Sequence, residues 1–371
     1  MDRKIRVVVL FGGQSSEHEV SRISAQSVLE NMDPNRYDIR MIGITKNGEW
    51  LRYDGDIKHL ASGEWENIAR ANLLPAPKKA EDAVPTCMDL ITTRDKDGRP
   101  EPVDVVFPVL HGPNGEDGSV QGLLQLAGVP YVGCDILSSA ACMDKEFTKL
   151  VLNQAGIPTA EYIKVYRDEI EGSVQVIQSR IEERFGWPCF VKPANAGSSV
   201  GVTKVRSPEN LLEALRQAAK YDNKILIEEY IEGRELECAV LGNRHPMASV
   251  VGEIVPSNEF YDYNAKYLDG KSETIIPADI EPGVAEQIRD YAVKAFKAMG
   301  CSGLSRVDFF LQKGTNRVIL NEINTMPGFT DISMYSKLWA ASGIPYPELI
   351  NRLIELAFEK HEQSIRSYER A

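Results

Sequence analysis

The stretch Ser305–Thr325, SRVDFFLQKGTNRVILNEINT, decides the interpretation of the fold. Two apolar, β-rich runs flank the turn-forming residues Lys313–Asn316, which is the pattern of a β-hairpin. We take the hairpin as symmetric about Thr315, so residues at equal distances from it lie opposite each other. Successive side chains point to opposite faces of a strand. Each face of the hairpin therefore carries either the even-numbered or the odd-numbered residues.

The even-numbered face concentrates polar side chains at the open end of the hairpin. Asp308 is then opposite Glu322, and Arg306 is opposite Asn324. Directly opposed carboxylates repel each other, but a divalent cation between them reverses the sign. Two carboxylates, an amide oxygen and a neighbouring guanidinium suit Mg²⁺ that holds phosphate oxygens. The alternatives are a solvated outer face of an edge hairpin, or a one-residue bulge that splits the set.

The same symmetry assigns the apolar residues of the hairpin. It predicts a packing face of Val307, Phe309, Leu311, Ile319 and Ile323. It also continues the polar face with three apolar residues, Phe310, Val318 and Leu320. A solvated face should not be half apolar, which favours the metal site.

Length and composition bound the class of protein. A chain of 371 residues predicts two or three domains, and 43% hydrophobic with 26% charged residues is typical of a soluble globular enzyme. The net charge is −12 without any Lys/Arg-rich run, which argues against nucleic acid or a membrane as partner. We see no signal h-region or membrane span, and the six scattered cysteines fit free thiols. We therefore expect a cytoplasmic protein.

The N-terminal part predicts a doubly wound α/β domain. A buried strand, Ile5–Phe11, leads through two glycines into a helix that ends near Asn31. A dinucleotide site is rejected, because the third glycine is missing and the next strand, Tyr37–Ile44, ends without an acid. Residues 46–102 have broken periodicity and are interpreted as a meander and surface loops.

Two polar loops follow strands of this domain. In the first, Ser16 and Glu19 fit a capping box, which leaves Glu17 either as a partner of the helix dipole or as a receptor for a substrate ammonium. The second follows the strand Val103–Leu110 and begins with His111, a candidate site residue.

The central part predicts a phosphate-binding loop. A helix over residues 138–155 carries Lys145, and the first domain boundary falls near it. The strand Trp187–Lys192 is followed by a loop of small residues and a second strand, Val200–Val205. The N–H groups of such a loop can surround phosphates, with hydroxyls from its two serines. A flexible hairpin tip is the alternative, and the position of Lys192 favours a nucleotide.

The strand Ile225–Ile231 contains Glu228 and Glu229, which could accept hydrogen bonds from an adenine amino group and ribose, or be exit-loop charges. Residues 237–241 and 248–253 are predicted as further strands of the same sheet. Residues 256–274 contain four aromatic residues within a short span and predict a lid over the site rather than disorder.

In this order, the motifs resemble the ATP-grasp superfamily and, more closely, the D-alanine–D-alanine ligase family. The resemblance spans residues 5–336 and rests on GGxSxExEVS at 12–21, HGxxGEDG at 111–118, KP at 192–193 with GSSxG at 197–201, YDY at 261–263 with KY at 266–267, and NExNTxPG at 321–328. It implies an ATP-grasp α/β fold behind an N-terminal Rossmann-like domain. The implied domains are residues 1–140, 141–225 (with the phosphate loop) and 226–371 (with the lid and the metal site).

The resemblance also implies substrates and roles. ATP would phosphorylate one D-alanine, and a second D-alanine would attack the acyl phosphate, in synthesis of a peptidoglycan precursor. Two Mg²⁺ ions (Mn²⁺ possible) would be bound by Asp308, Glu322 and Asn324. Nucleotide and phosphates would be bound by Lys145, Lys192, Ser199, Glu228, Glu229, Tyr230, Ile231, Glu235 and Lys266. The acyl centre would use Glu17, Ser198, Tyr267, Arg306, Gly328 and Ser333.

Three rival interpretations stay open at this point. A depsipeptide or D-Ala–D-Ser ligase is expected to lack the pair Lys266 and Tyr267, which this chain has. A non-catalytic nucleotide-binding regulator would be expected to lose metal ligands, and an NAD-linked dehydrogenase is the most distant rival. A homodimer is the expected assembly.

Overall fold

The computed structural model describes residues 3–72, 91–92, 102–255 and 273–366. These ranges leave out one of the six cysteines, Cys87, and nearly all of the predicted lid. They also leave out two predicted site residues, Lys266 and Tyr267. The described strands form three sheets with helices packed on their faces, so the α/β class is confirmed. No helix of the described part is both long and apolar enough to cross a membrane.

The first sheet has the strand order β3-β2-β1-β4. Its strands are β1 Ile5–Gly12, β2 Tyr37–Ile44, β3 Trp50–Tyr53 and β4 Val105–Pro108. Its helices are α1 His18–Asn31, α2 His59–Ser62, α3 Trp65–Ala71 and α4 Ser119–Leu126. Strand β1 is parallel to β2 and β4, with α1 as the crossover, which confirms the doubly wound start.

The described part of residues 46–102 is more regular than predicted. It contains β3, α2 and α3, and the Trp65 side chain is fully buried in the core. Elements of four to seven residues are too short to show a helical or strand period. The interpretation of this region as surface loops was therefore wrong for the residues described.

The helix predicted over residues 138–155 is two helices, α5 Ile136–Met143 and α6 Lys145–Gln154. Asp144 between them has extended backbone angles, and its Oδ1 accepts hydrogen bonds from the N–H groups of Glu146 and Phe147. An N-cap with this geometry begins a new helix. The break places Lys145 in the first turn of α6 instead of in the middle of a long helix.

The second sheet is antiparallel with the order β5-β8-β6-β7. Its elements are β5 Tyr162–Tyr166, α7 Ile170–Arg184, β6 Cys189–Pro193, β7 Thr203–Val205, α8 Leu211–Ala218 and β8 Lys224–Glu229. Apolar residues of α7 and α8 pack on one face of this sheet in a common core. The opposite face of the sheet lines a cavity.

The third sheet is antiparallel with the order β11-β10-β9-β12-β13. Its elements are β9 Gly233–Gly242, β10 Met247–Val255, β11 Glu273–Ile275, α9 Pro282–Ala298, β12 Gly303–Gln312 and β13 Val318–Asn324, followed by α10 Met334–Ala341 and α11 Tyr346–Ser364. Helices α10 and α11 share a core with the first sheet and so join the N- and C-terminal parts.

Strands β9 and β10 do not belong to the sheet of β8, so that prediction was wrong. Strand β8 pairs with β5 and β6, whereas β9 pairs with β10 and β12. Strand patterns in a sequence show where strands lie but not which strands pair. The division into three domains stays a proposal. Since β8 crosses the predicted limit at 225/226, we propose moving that limit to residues 230–232.

Candidate active site

The hairpin of β12 and β13 has the predicted register at its polar end. Arg306 pairs with Asn324, and Asp308 pairs with Glu322. A bulge follows directly, because Phe309 pairs with Leu320 and leaves Asn321 as the extra residue. The bulge therefore lies beyond the polar set and does not split it.

The bulge does change the apolar faces, where the prediction was wrong for three residues. Val318 and Leu320 pack with Phe309 in the core beneath the sheet. Ile319 instead packs beside Phe310 in a separate cluster on the site face. One inserted residue reverses the face of every residue that follows it along the strand.

Arg306 lies among carboxylates on neighbouring strands. Asp308 pairs with Glu237 of β9 on one side and with Glu322 on the other, so the three acids form a row. The guanidinium of Arg306 donates to both oxygens of Asp308, at 2.7 and 2.6 Å, and its Nε lies 3.0 Å from Glu237 Oε2. Burial lowers the pKa of Arg306, but Asp308 and Glu237 more than offset this and raise it. Sequence reasoning missed Glu237, because it could not show that β9 borders the hairpin.

The donor set fits Mg²⁺ bound together with phosphates. Asp308 and Glu322 line a cavity, and the Nδ2 of Asn324 donates to Asp308 Oδ2 at 3.0 Å. In the described ranges, no group of three or more His, Cys, Asp or Glu side chains is arranged to hold a metal by itself. Mg²⁺ commonly uses one or two carboxylates and takes its other ligands from water and substrate phosphates. Two carboxylates and an amide near the loop that is predicted to bind phosphates meet that requirement.

A cavity of about 360 Å³ lies between the second and third sheets. A volume of this order is typical of small-molecule sites. It brings together eleven of the residues predicted from the sequence: Lys145, Lys192, Ser198, Ser199, Glu228, Glu229, Tyr230, Ile231, Glu235, Asp308 and Glu322. Asn324 lines a smaller neighbouring cavity together with Lys145 and Glu322.

The loop between β6 and β7 is held against the start of α6. The backbone N–H of Lys145 donates to Ala194 O at 3.1 Å, and its Nζ donates to Ala196 O at 2.6 Å. Ser198 and Ser199 both have positive φ, at 48° and 59°. Non-glycine residues rarely adopt this conformation, and it is concentrated at ligand-binding loops. A cation and two hydroxyls thus converge on one turn of backbone.

The wall formed by β6 and β8 carries a buried carboxylate between two ammonium groups. Lys192 Nζ lies 2.7 Å from Glu228 Oε2, and Lys149 Nζ lies 3.4 Å from Glu228 Oε1. Burial raises the pKa of Glu228, but the two lysines more than offset it, so the pKa is lowered and Glu228 is ionised. Lys149 was missed, since most lysines on helices are solvated and nothing in its spacing distinguishes it.

The three residues that follow Glu228 in this wall make different kinds of contact. The carboxylate of Glu229 accepts a hydrogen bond from the Glu161 N–H at 2.8 Å, so it is tied to the start of β5. The Tyr230 ring lies under Lys204 Nζ, at 3.7 Å from the ring centroid. Ile231 packs in the cluster of Ile319 and provides an apolar surface. Such a surface beside polar groups suits a flat heterocycle.

Glu17 joins the N-terminal domain to the phosphate loop. Ser198 Oγ donates a short hydrogen bond to Glu17 Oε1, and Glu17 is only 7% exposed. A Cβ on Gly197 would lie 2.7 Å from Glu17 Oε2, so a larger residue at this position would displace the carboxylate. The predicted capping box is absent, because α1 has no side-chain cap and Glu19 pairs with Lys46 instead.

The loop after β13 carries two further predicted site residues, Gly328 and Ser333, which are not among the described lining residues of the cavity. Ser333 Oγ accepts from the Thr330 N–H at 3.0 Å, and a Cβ on Gly328 would lie 2.8 Å from the same oxygen. His111 bridges this loop to α1, with Nδ1 3.0 Å from Met326 O and Nε2 3.0 Å from Ser24 Oγ. The candidate His111 is therefore placed between two domains, behind the loop that carries Gly328.

Two antiparallel sheets that close on this cavity, behind a doubly wound domain, define an ATP-grasp enzyme. Family models described as "D-ala D-ala ligase N-terminus" and "D-ala D-ala ligase C-terminus" match residues 6–134 and 151–355. The chain belongs to the D-alanine–D-alanine ligase family.

Relatives and solved structures agree with this assignment. The chain is 55% identical to the D-alanine–D-alanine ligase of Acetivibrio thermocellus over 100% of both chains. It is 48% identical to that of Clostridium acetobutylicum, with 96% of this chain and 99% of the relative covered. The D-alanine–D-alanine ligase structure from Coxiella burnetii has a TM-score of 0.81 at 38% identity, with 98% and 96% covered.

The VanG D-Ala:D-Ser ligase from Enterococcus faecalis is also similar, with a TM-score of 0.82, 37% identity and coverage of 96% and 100%. The fold is therefore shared by ligases that differ in the second substrate. The residue pair that was predicted to discriminate them lies outside the described residues.

Proposed function

We propose that the cavity between the second and third sheets binds Mg-ATP and that Glu17 marks the adjoining amino-acid site. The chain joins two D-alanine molecules into D-alanyl-D-alanine with conversion of ATP to ADP and phosphate, the reaction of its family in peptidoglycan synthesis. The observation that carries the site assignment is the row of Asp308 and Glu322 facing the same cavity as the phosphate loop.

The chemistry explains why ATP is used. A carboxylate is a poor acyl donor, so the γ-phosphoryl group is first transferred to the carboxylate of one D-alanine, which gives an acyl phosphate and ADP. The amine of the second D-alanine attacks the acyl carbon, and phosphate leaves the tetrahedral intermediate. Covalent participation of the protein is not needed. Its task is to position the reactants and to neutralise charge.

Phosphates and metal are assigned to the hairpin and the loop. Asp308, Glu322 and Asn324 would hold two Mg²⁺ ions, or Mn²⁺, which when bound neutralise the phosphate charge and polarise the transferred group. Lys145, Lys192 and Ser199 would contact the phosphates and nucleotide. Their support is the convergence of these side chains on one cavity.

Adenine and ribose are assigned to the wall of β8 and β9, with Glu228, Glu229, Tyr230, Ile231 and Glu235. The support is an apolar surface next to carboxylate side chains that line the same cavity. Lys266 is assigned to the phosphates and the second substrate by the resemblance alone.

The acyl centre is assigned to residues near the phosphate loop and the loop after β13, most of which are not among the described lining residues of the cavity. Arg306 and the Gly328 N–H would stabilise the developing oxyanion. Glu17 would receive the first substrate's ammonium and, with Ser198 and Tyr267, connect the domains. Ser333 would receive the second substrate's carboxylate. The Glu17–Ser198 hydrogen bond and the closeness of Ser333 to Gly328 support this arrangement.

The test is mass spectrometry of the purified protein with Mg-ATP and D-alanine. We expect ADP, phosphate and the dipeptide in equal amounts. Parallel reactions with D-lactate and D-serine across pH separate this reaction from the rival ligases. Nucleotide binding without Mg²⁺-dependent release of ADP would instead indicate a non-catalytic regulator.

Glu322→Ala tests the metal assignment. We expect loss of turnover by at least about 1,000-fold with an unchanged far-UV circular dichroism spectrum, because one of two carboxylates for the dication is removed. Glu232→Ala is the control, since this exposed acid pairs with Lys313 near the hairpin turn. A Glu322→Ala enzyme with near-normal rate would refute the assignment.

We propose a homodimer located in the cytoplasm. Helices α4, α5 and α6 pack on one another in sequence and expose the apolar side chains of Leu126, Leu137, Phe147 and Leu150. Apolar surface of this kind favours association. The five described cysteines are buried free thiols, as expected in a reducing compartment. Light scattering should give twice the mass of one chain, and Leu137→Asp should reduce it to that of a monomer.

A further inference from the structure

Lys149 is a buried cation behind the wall of the nucleotide cavity. It lies on α6, one turn after Lys145, and its side chain is 1% exposed. Its Nζ is 3.4 Å from Glu228 Oε1 and donates to Ala160 O at 3.4 Å. Glu228 and Ala160 line the cavity, whereas Lys149 is not among its described lining residues. Lys149 can therefore influence a bound nucleotide only through the residues in front of it.

The carboxylate of Glu228 is fixed from two sides. Lys192 Nζ, on β6, lies 2.7 Å from Oε2. Lys149 Nζ, on α6, lies 3.4 Å from Oε1. Within the described residues, Oε1 is buried, and its partner is the ammonium of Lys149 in an ion pair at 3.4 Å. An ionised carboxylate is an acceptor and cannot donate. The cavity wall thus presents an acceptor that pairs with an amino group and repels a carbonyl oxygen.

The charge balance around Glu228 supports this state. Burial would raise the pKa of Glu228, and the ammonium groups of Lys149 and Lys192, with a smaller contribution from Lys145, lower it below its ordinary value. Burial lowers the pKa of Lys149 itself, and Glu228 offsets this in part. Removing one cation from a buried triad leaves the carboxylate poorly compensated. A protonated Glu228 could then donate a hydrogen bond.

We propose that Lys149 is a positioning residue for nucleotide selection. It keeps Glu228 ionised and oriented, so that the cavity accepts a purine with a 6-amino group, as in ATP, and rejects one with a 6-oxo group, as in inosine triphosphate (ITP). This inference rests on the proposed function, because it takes Glu228 as a contact of the base. It assigns to Lys149 a role beyond neutralising a buried charge.

Lys149→Met tests the inference, because it keeps the length of the side chain and removes its charge. We expect KM for ATP to rise about tenfold and the preference for ATP over ITP in kcat/KM to fall about tenfold, in line with the strength of a hydrogen bond to a charged group. KM for D-alanine should stay within about twofold. A purely structural role would lower the melting temperature without changing the ATP/ITP ratio.

Lys164→Met is the matched control. Lys164 lies on β5 next to β8 and pairs with Glu146 at 2.7 Å, away from the cavity. Replacing Lys164 removes its ion pair with Glu146. We expect the preference for ATP over ITP in kcat/KM to stay unchanged.

A second comparison tests whether Lys149 acts through Glu228. An amide can donate as well as accept, so Glu228→Gln should itself weaken ATP/ITP discrimination. Adding Lys149→Met to Glu228→Gln should then have no further effect on the ratio. The double variant carries neither charge of the pair, so it also serves if Lys149→Met alone does not fold. A further tenfold fall would overturn the inference.

Failure of this inference is distinguishable from failure of the proposed function. Wild-type protein that forms no dipeptide from ATP and D-alanine would contradict the proposed function. An active wild type whose ATP/ITP preference survives in Lys149→Met would contradict only the role of Lys149.

Discussion

At the scale of single residues, the site depends on carboxylates that have different neighbours. Asp308 forms an ion pair with the guanidinium of Arg306, and Glu228 forms ion pairs with two lysines. Glu17 accepts a hydrogen bond from the hydroxyl of Ser198. Lysines and arginine supply full positive charges, whereas a hydroxyl supplies one hydrogen bond. Glu17 is therefore the carboxylate best able to pair with a cationic substrate group.

Glu17→Gln tests this difference. The variant keeps the shape and the hydrogen bond from Ser198 but removes the negative charge. We expect kcat/KM for D-alanine to fall about 100-fold, because a charge-assisted hydrogen bond is lost, while KM for ATP changes less than about threefold. Steady-state kinetics with each substrate varied in turn provide the measurement.

Glu19→Gln is the control for Glu17→Gln, since it removes an acid two residues away that pairs with Lys46 at the surface. Exposed ion pairs contribute little, so we expect nearly wild-type kinetics. A similar loss in both variants would show that the effect comes from the helix terminus and not from the substrate.

At the scale of elements, regular patterns were predictable and their interruptions were not. The strands β1 and β2 and the hairpin agree with the sequence pattern to within about two residues. A bulge was considered only as an alternative, and its position at Asn321 was not predicted. The helix break at Asp144 was missed. Each depends on the backbone conformation of one residue, which the periodic pattern does not determine. The assumed centre at Thr315 holds for the polar pairs but not for the pairs nearer the turn, because the extra residue Asn321 shifts the pairing by one position.

Asp144→Ala tests the functional weight of the helix break. Its carboxylate caps α6 and also pairs with Lys224 at 2.5 Å. We expect the free energy of unfolding to fall by about 1–2 kcal/mol, as for other lost N-caps. We also expect KM for ATP to rise about fivefold, because the N-cap no longer fixes the first turn of α6, which carries Lys145. Urea unfolding and ATP-dependent kinetics provide the measurements.

Asp135→Ala is the matched control for Asp144→Ala. Asp135 caps the preceding helix, α5, through the N–H of Ser138, but the residue after it, Ile136, is not one that we propose to bind the nucleotide. We expect a similar loss of stability with an unchanged KM for ATP. Equal changes of KM in the two variants would mean that loss of stability alone accounts for the kinetic effect.

At the scale of the whole molecule, the site is assembled from residues far apart in sequence. The Glu17–Ser198 contact spans 181 positions, and the His111–Met326 contact spans 215. Motif resemblance predicted that such residues meet, but periodicity could not, because it describes each strand or helix separately. The contributions of Glu237 and Lys149 were missed for the same reason. Glu237 lines the cavity and Lys149 lies behind its wall, and both are on elements whose neighbours only the tertiary structure defines.

Lys360 joins α11 to residues 131–133 of the N-terminal domain, and its burial predicts how stability depends on pH. It lies on α11, donates to Gly133 O at 2.6 Å and lies 3.6 Å from the centroid of the Tyr131 ring. Burial lowers the pKa of Lys360 to about 7, whereas that of an unfolded lysine is about 10.4. Between these values the unfolded chain binds more protons than the folded chain. The contribution of this group to the free energy of unfolding therefore rises with pH.

Lys360→Met removes this titrating group. It also removes the hydrogen bond to Gly133, which lowers the free energy of unfolding by an amount that does not depend on pH. We expect wild type to gain on the variant by about 1 kcal/mol between pH 7.5 and pH 8.5, close to the limit of about 1.4 kcal/mol per unit for one proton. Urea unfolding at the two pH values measures the difference. Lys220→Met, which removes an exposed ammonium, should show no such change. A constant difference between wild type and Lys360→Met would mean that Lys360 stays charged in the folded protein, and that α11 is joined to the N-terminal domain by an ion and not by a neutral amine.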